Sequence, residues 1–244
     1  MQRILRFFGL AFFLGVAISA QGQLRVQFRP AVLGTGPQSL INRIDSEALL
    51  KKGQKDGAVM FAAIVGKGGE ATSAWTYRAI PGSADLENEV EQRLEGVKFT
   101  PPIYNHQPVS VLLYGTVVFS AESKPHVRIF LNQDPEQIKA ESDFIGPQPV
   151  IGGDSKFKGI RLPDPNMPVS VSGIANLALK VGEDGSLQDL QLVGEEPPLL
   201  GFGTMALEDF DGAKFIPAFH DGDPTACATV LPVCYKPQPP AADD

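Results

Sequence analysis

Residues 95–108 read EGVKFTPPIYNHQP, and residues 211–224 read DGAKFIPAFHDGDP. Both carry Gly-x-Lys-Phe-x-Pro, then a polar loop, then a proline, and residue 95 lies 116 positions before residue 211. The same shift brings Gly57 onto Gly173, Val65-Gly66 onto Val181-Gly182, Gly69 onto Gly185 and Pro81 onto Pro197. It also brings Pro108 onto Pro224, Val117 onto Val233 and Phe119 onto Tyr235, with no gap between Gly57 and Phe119. Most other positions differ. The identities fall on turn and core positions, which a shared backbone retains, so the sequence predicts one unit used twice.

The unit reads outward from that motif. GAVMFAAIVGKGGEA (57–71) and GIANLALKVGEDGSL (173–187) alternate apolar residues: Val59, Phe61, Ala63 and Val65 share one parity, as do Ala175, Leu177, Leu179 and Val181. Period two means a strand with one buried face. Gly66–Gly69 and Gly182–Gly185 are hairpin turns, with Asp184-Gly185 the sharper signal. A second strand follows in each copy, 71–80 and 187–194. Leu86, Val90 and Leu94 then recur at helical spacing, as do Phe202, Ala206 and Phe210. Ser83 is placed to cap the first of these helices, and Gly96 and Gly212 to end them. Lys-Phe-x-Pro leads out, with the Phe packed beneath the helix, and a last apolar strand closes each copy at 108–119 and 224–235. The fold class is α+β: an antiparallel sheet with one packed helix, strand-strand-helix-strand, twice. Within the stretch between the copies, PHVRIFLNQDP (125–135) is a candidate extra strand, and LRVQFRPAVLG (24–34) a weaker one.

The chain has 244 residues, 43% hydrophobic and 20% charged, with 25 Gly and 21 Pro. That content favours many short strands over long helices. MQRILRFFGLAFFLGVAISAQGQ (1–23) has two arginines, an apolar run and small residues at Ala20 and Gly22, the layout of a secretory signal over 1–22. An uncleaved anchor is the other reading of that run. Cleavage takes the formal charge from −7 to −9, because Arg3 and Arg6 leave with it. An acidic chain lacks the phosphate-neutralising surface that nucleic acid needs. The expected product is periplasmic or otherwise exported, with no direct membrane span after signal removal.

Two copies of Gly, hairpin strands, helix, Lys-Phe-x-Pro and a final apolar strand resemble the carboxy-terminal domain of the TonB energy-transducer family. VGEDGSLQDLQLVG (181–194) and GAKFIPAFHDGDP (212–224) carry most of the likeness, which covers Gly57–Phe119 and Gly173–Tyr235. It implies a first TonB-C-like domain over 23–119, a linker or extra-strand region over 120–172, a second domain over 173–237 and a disordered tail, 238–244. It also implies a protein partner, an outer-membrane receptor or another envelope protein, whose extended segment joins the sheet edge as a strand. Two features depart from a transducer. No histidine precedes His106, and residues 23–56 span roughly 110 Å only when fully extended. The expected function is therefore an exported, non-catalytic binding or scaffold module. The alternatives are a self-associating envelope assembly protein and an enzyme with an unrecognised site.

No catalytic, metal or cofactor motif stands out. His106, His126 and His220 are isolated, and no paired-ligand spacing or phosphate-binding loop occurs. Cys227 and Cys234 align with Val111 and Val118 of the first copy, which favours small core residues over a bridge. In one straight strand they lie roughly 23 Å apart, against a limit of roughly 7 Å for a disulfide. Trp75 and Tyr77 alternate on the second strand and form either core or a binding ledge. The resemblance puts the accepting edge on the last strand, 109–119 or 225–235. Pro232 lacks a donor where the first copy has Thr116, so Val109, Val111 and Leu113 are the expected partner-binding residues, with Trp75 and Tyr77. The two halves are expected to fold separately.

Overall fold

The computed structural model describes residues 27–140, 143–161 and 171–236. The expected signal, 1–22, and tail, 238–244, lie outside the described residues. The chain is mixed α+β, with antiparallel sheets and few helices. Its first half runs β1 (Phe28–Arg29), α1 (Leu40–Arg43), α2 (Ser46–Lys52), β2 (Gly57–Val65), β3 (Ala71–Ala79), α3 (Ala84–Leu94), β4 (Ile103–Tyr104), β5 (Gln107–Pro108) and β6 (Ser110–Phe119). Then come β7 (Val127–Leu131), α4 (Pro135–Ala140), β8 (Phe144–Ile145) and β9 (Gln148–Ile151). The second half runs β10 (Gly173–Val181), β11 (Leu187–Glu196), α5 (Phe202–Phe210), β12 (Phe215–Ile216), β13 (Ala218–His220), β14 (Asp223–Thr225) and β15 (Cys227–Tyr235).

The strand registers of the two halves differ by the 116-residue shift. Gly57 faces Phe119 as Gly173 faces Tyr235, and Val59 faces Ala79 as Ala175 faces Glu195. The register shift after Met60 has its counterpart after Asn176. Even single bridges match: Glu70 with Lys98, and Ser186 with Lys214. Each hairpin turn ends on a glycine of positive φ, Gly69 and Gly185, whose carbonyl accepts from Phe99 or Phe215. That bond ties the Lys-Phe-x-Pro segment to the hairpin.

The alternating residues line the core. Val59, Phe61, Ala63 and Val65 are fully buried, as are Leu86 and Val90 of α3 above them. Ala175, Leu177 and Val181 lie under Phe202, Ala206 and Phe210 of α5 in the same way. The expected side-chain cap by Ser83 is not made. Its hydroxyl instead accepts from the Ala58 amide at 3.2 Å, which pins the helix start to β2.

The segment between the halves is structural rather than a spacer. β7 pairs with β6, giving the strand expected within 125–135. β9 pairs with β6 on one side and with β12 of the second half on the other. Gln148 in β9 is fully buried, and its amide takes both the N–H and the C=O of Ala31, at 2.8 and 2.7 Å. The cores interlock as well. Ala62, Leu112 and Tyr114 of the first sheet are buried with Phe157, Leu177 and Cys234, while Ile216 of the second half is buried in the first cluster. The expectation of separately folding halves gives way to shared packing.

The β4–β5 connection carries local strain. Asn105 and His106 both have positive φ, 46° and 65°, in a two-residue turn. The position matching His106 is Gly222, at φ 87°. A left-handed histidine costs about 1 kcal/mol, whereas Asn-Gly is the favoured pair for such a turn. His106→Gly is therefore expected to stabilise the protein by about 1 kcal/mol in urea denaturation, and a neutral or negative change would contradict this account of the turn.

A candidate strand-accepting edge and a neighbouring cleft

The first copy's final strand is interior, not an edge. β2 pairs with Val111–Phe119 of β6 on one side. On the other side β7 pairs with Gly115–Phe119, and β9 with Ser110 and Val111. The gap between them is closed at Tyr114, whose N–H donates to Asn132 Oδ1 at 3.2 Å and whose C=O accepts from the Asn132 amide at 2.9 Å. Val111 and Leu113 are fully buried, and Val109 is half-buried just before the strand. The expected partner edge at Val109, Val111 and Leu113 is thus corrected: the chain fills that edge with its own β7, Asn132 and β9. Strand pairing uses backbone groups, so the sequence of β6 carries no mark of being occupied.

The equivalent strand in the second half is flanked differently. β15 pairs with β10, and among the described residues no strand adds to its other side. The matching register gives the direction of its backbone groups. Val230 stands where Tyr114 stands in β6, so its N–H and C=O point away from β10, as those of Tyr114 point to Asn132. Pro232 has the same parity, which is how a proline is accommodated without breaking the ladder to β10. Val230 is 45% exposed.

Trp75 and Tyr77 lie on β3, an edge strand of the first sheet, and are half-buried. Both pack into the second cluster. Their counterparts Gln191 and Val193 are exposed. The aromatic face of the first sheet is therefore partly consumed in docking the second half. What remains open is a cleft of about 390 Å³ between Trp75–Arg78 of β3 and the ends of β10, β11 and β15. The Lys236 ammonium lies 5.5 Å from the centre of the Trp75 ring. Arg78 pairs with Glu196 across the cleft at 2.9 Å. Cys234 lines it, and burial pushes its thiol up to about 12, so it stays protonated at neutral pH. The Trp75 indole N–H is buried without a hydrogen-bond partner. Tyr77 is also held well above the ordinary phenol range by burial.

A smaller cavity of about 40 Å³ sits between β15 and the first sheet, lined by Tyr77, Tyr114, Gln133 and Val230. The Tyr114 hydroxyl and Gln133 Oε1 are buried there without partners. Its size suits about one water molecule.

Arg161 pairs with Glu208 and Asp209, and the Tyr235 hydroxyl donates to Asp209 at 3.2 Å. Cys227 and Cys234 are both free and buried in the one strand β15. His126 Nδ1 lies 2.8 Å from the Ser120 carbonyl, with its ring stacked on Phe119, and His220 lies beside Asp221. Among the described residues no three His, Cys, Asp or Glu gather as a metal site, and no helix is long and apolar enough to cross a membrane. No family model, curated protein or solved structure matches this chain.

Proposed function

We propose that this chain is an exported, non-catalytic protein-binding module built of two TonB-C-like units, and that it captures an extended partner segment as a strand along the outer edge of β15. One observation carries the reading. In the first half the corresponding edge, on β6, is filled by β7 and β9 in antiparallel register, while β15 pairs only with β10 among the described residues. The molecule thus contains an intramolecular example of the binding mode proposed for its partner. The partner is a segment of an envelope protein, an outer-membrane receptor being one candidate. Backbone hydrogen bonds supply most of the attraction, and alternate side chains the selectivity.

The test uses Val230→Pro. This substitution removes one outward N–H and leaves the β10 ladder intact, as Pro232 already does at the same parity. Envelope extract passed over the immobilised mature chain should yield a partner whose affinity for the Val230→Pro variant is at least about tenfold lower, the loss of one or two strand hydrogen bonds. The variant's near-ultraviolet circular dichroism should match the parent's. A folded variant that keeps full capture would refute edge addition at β15. If the captured species is a second copy of the chain, seen as a concentration-dependent dimer in sedimentation that Val230→Pro abolishes, the same edge serves self-assembly.

A further inference from the structure

The 116-residue shift reaches further back than Gly57. Phe28 and Arg29 of β1 pair with Tyr104 and Ile103, and their counterparts Phe144 and Ile145 of β8 pair with His220 and Phe219. Leu33 bridges Phe99 as Pro149 pairs with Phe215. The turn closed by the Ser39 amide on the Gly36 carbonyl, at 3.0 Å, returns as Ser155 on Gly152, at 3.1 Å. The units therefore run 28–119 and 144–235, and β9 belongs to the second. The first unit meets the second through β6, which pairs with β9, and through one face of its sheet. On that face Ala62, Leu112 and Tyr114 are buried, with Trp75 and Tyr77 packed beside them. The second unit meets Trp75–Arg78 across the cleft with Ile174, Glu196 and Cys234, and Glu196 pairs with Arg78.

Shifted by 116 residues, both sides of this junction reappear on the surface. The second unit's counterparts of Ala62, Trp75, Tyr77, Leu112 and Tyr114 are Ala178, Gln191, Val193, Ala228 and Val230. Ala178 is half-buried and the other four are exposed, Val193 at 61% and Val230 at 45%. The first unit's counterparts of Ile174, Glu196 and Cys234 are Ala58, Ile80 and Val118, with Ile80 45% exposed. Ile80, Val193 and Val230 are three of the five large apolar side chains exposed among the described residues, and such residues mark interaction surfaces when they are not scattered singly. Where the internal junction has the Arg78–Glu196 pair, the shifted one has Gly194 and Ile80, so no charge is left unpaired. From this we infer that copies of the chain associate head to tail. The outer face of the second sheet, around Val193 and Val230, docks on the Ala58, Ile80 and Val118 end of the first unit of another copy. The register of Val111 with Val150 then puts Cys227 opposite Gly34 of that copy. The inference rests on the two-unit reading proposed above. It names a second copy as the occupant because the chain already docks one of its own units in this way. The contacts are side chains of a sheet face, whereas strand capture uses the backbone of the β15 edge. Such an interface is heterologous, so association continues beyond two copies.

Sedimentation velocity of the mature chain over a rising concentration series tests this. The weight-average mass should climb past that of two copies. Val193→Glu and Ile80→Lys change exposed positions, and each should weaken association at least about tenfold while circular dichroism stays as in the parent. Mixed in equal amounts, the two variants should associate again, because each supplies the surface that the other lacks. Capture by the β15 edge is scored separately, in the pull-down, so a failure of self-association leaves that reading standing. A chain that keeps the mass of one copy throughout, a folded variant that associates like the parent, or a mixture that does not recover would overturn the inference.

Discussion

Phe157→Ala is expected to lower folding stability by about 3–5 kcal/mol, a large part of the roughly 5–15 kcal/mol that such a domain possesses. Phe157 comes from the stretch between the two copies, yet it is fully buried. Its ring stacks on Phe210 of α5 with centroids 4.5 Å apart. Its backbone is held too: the carbonyl accepts from the Gly152 amide at 2.8 Å, and the amide donates to Ser155 Oγ at 3.3 Å. With the backbone anchored on both sides, the site collapses poorly when the ring is removed, which puts the cost toward the upper end for such truncations. Urea denaturation followed by far-ultraviolet circular dichroism measures the loss, and Trp75 emission supplies a second probe in the other half. Because Ala62, Leu112 and Tyr114 are buried in the same cluster as Phe157, the two probes should give one coincident transition. A loss below about 1 kcal/mol would show that Phe157 is not a core residue. Separate transitions would show that the halves unfold independently.

Gly185→Ala should cost at least about 2–3 kcal/mol, for two separable reasons. The residue has φ 77°, and a left-handed non-glycine residue costs about 1–2 kcal/mol. A Cβ there would also stand 2.0 Å from the Phe215 carbonyl oxygen, a backbone atom that cannot move without breaking the 2.9 Å bond from Phe215 N–H to the Gly185 carbonyl. Breaking that bond adds about 1 kcal/mol or more and unties the Lys-Phe-x-Pro segment from the hairpin. Gly222→Ala is the control. Its φ is 87°, but a Cβ there meets nothing within 4 Å, so only the conformational cost of about 1–2 kcal/mol applies. Thermal or urea unfolding of both variants isolates the close approach as the difference between them. Equal losses would mean that the contact with Phe215 contributes nothing.

The candidate site was legible only in part. Trp75 and Tyr77 stand out because two large aromatics alternate on a strand whose counterpart has Gln191 and Val193. Their dual role, partly docking the second half and partly lining the cleft, depends on which surface meets them. Lys236 gives no signal, since it follows the last strand as an ordinary polar residue. Val230 resembles any strand valine, and only its register against Tyr114 marks its backbone as outward-facing.

By itself, the sequence determined the unit and its registers. Alternating apolar residues select one buried face, Gly-rich turns at fixed positions lock the hairpins, and the 116-residue shift applies these local rules twice. Such rules act between neighbours in the chain, and side-chain type records them. Which strand edges are closed was decided by tertiary structure alone. Every strand presents the same N–H and C=O groups whatever its side chains, so nothing in β6 announces that β7, β9 and Asn132 will cover it. Nothing in β15 announces that no described strand does. The interlocking of the halves has the same origin: Ala62, Leu112 and Tyr114 are apolar on a face that could equally have met a partner, and only the docking of the second half made it core.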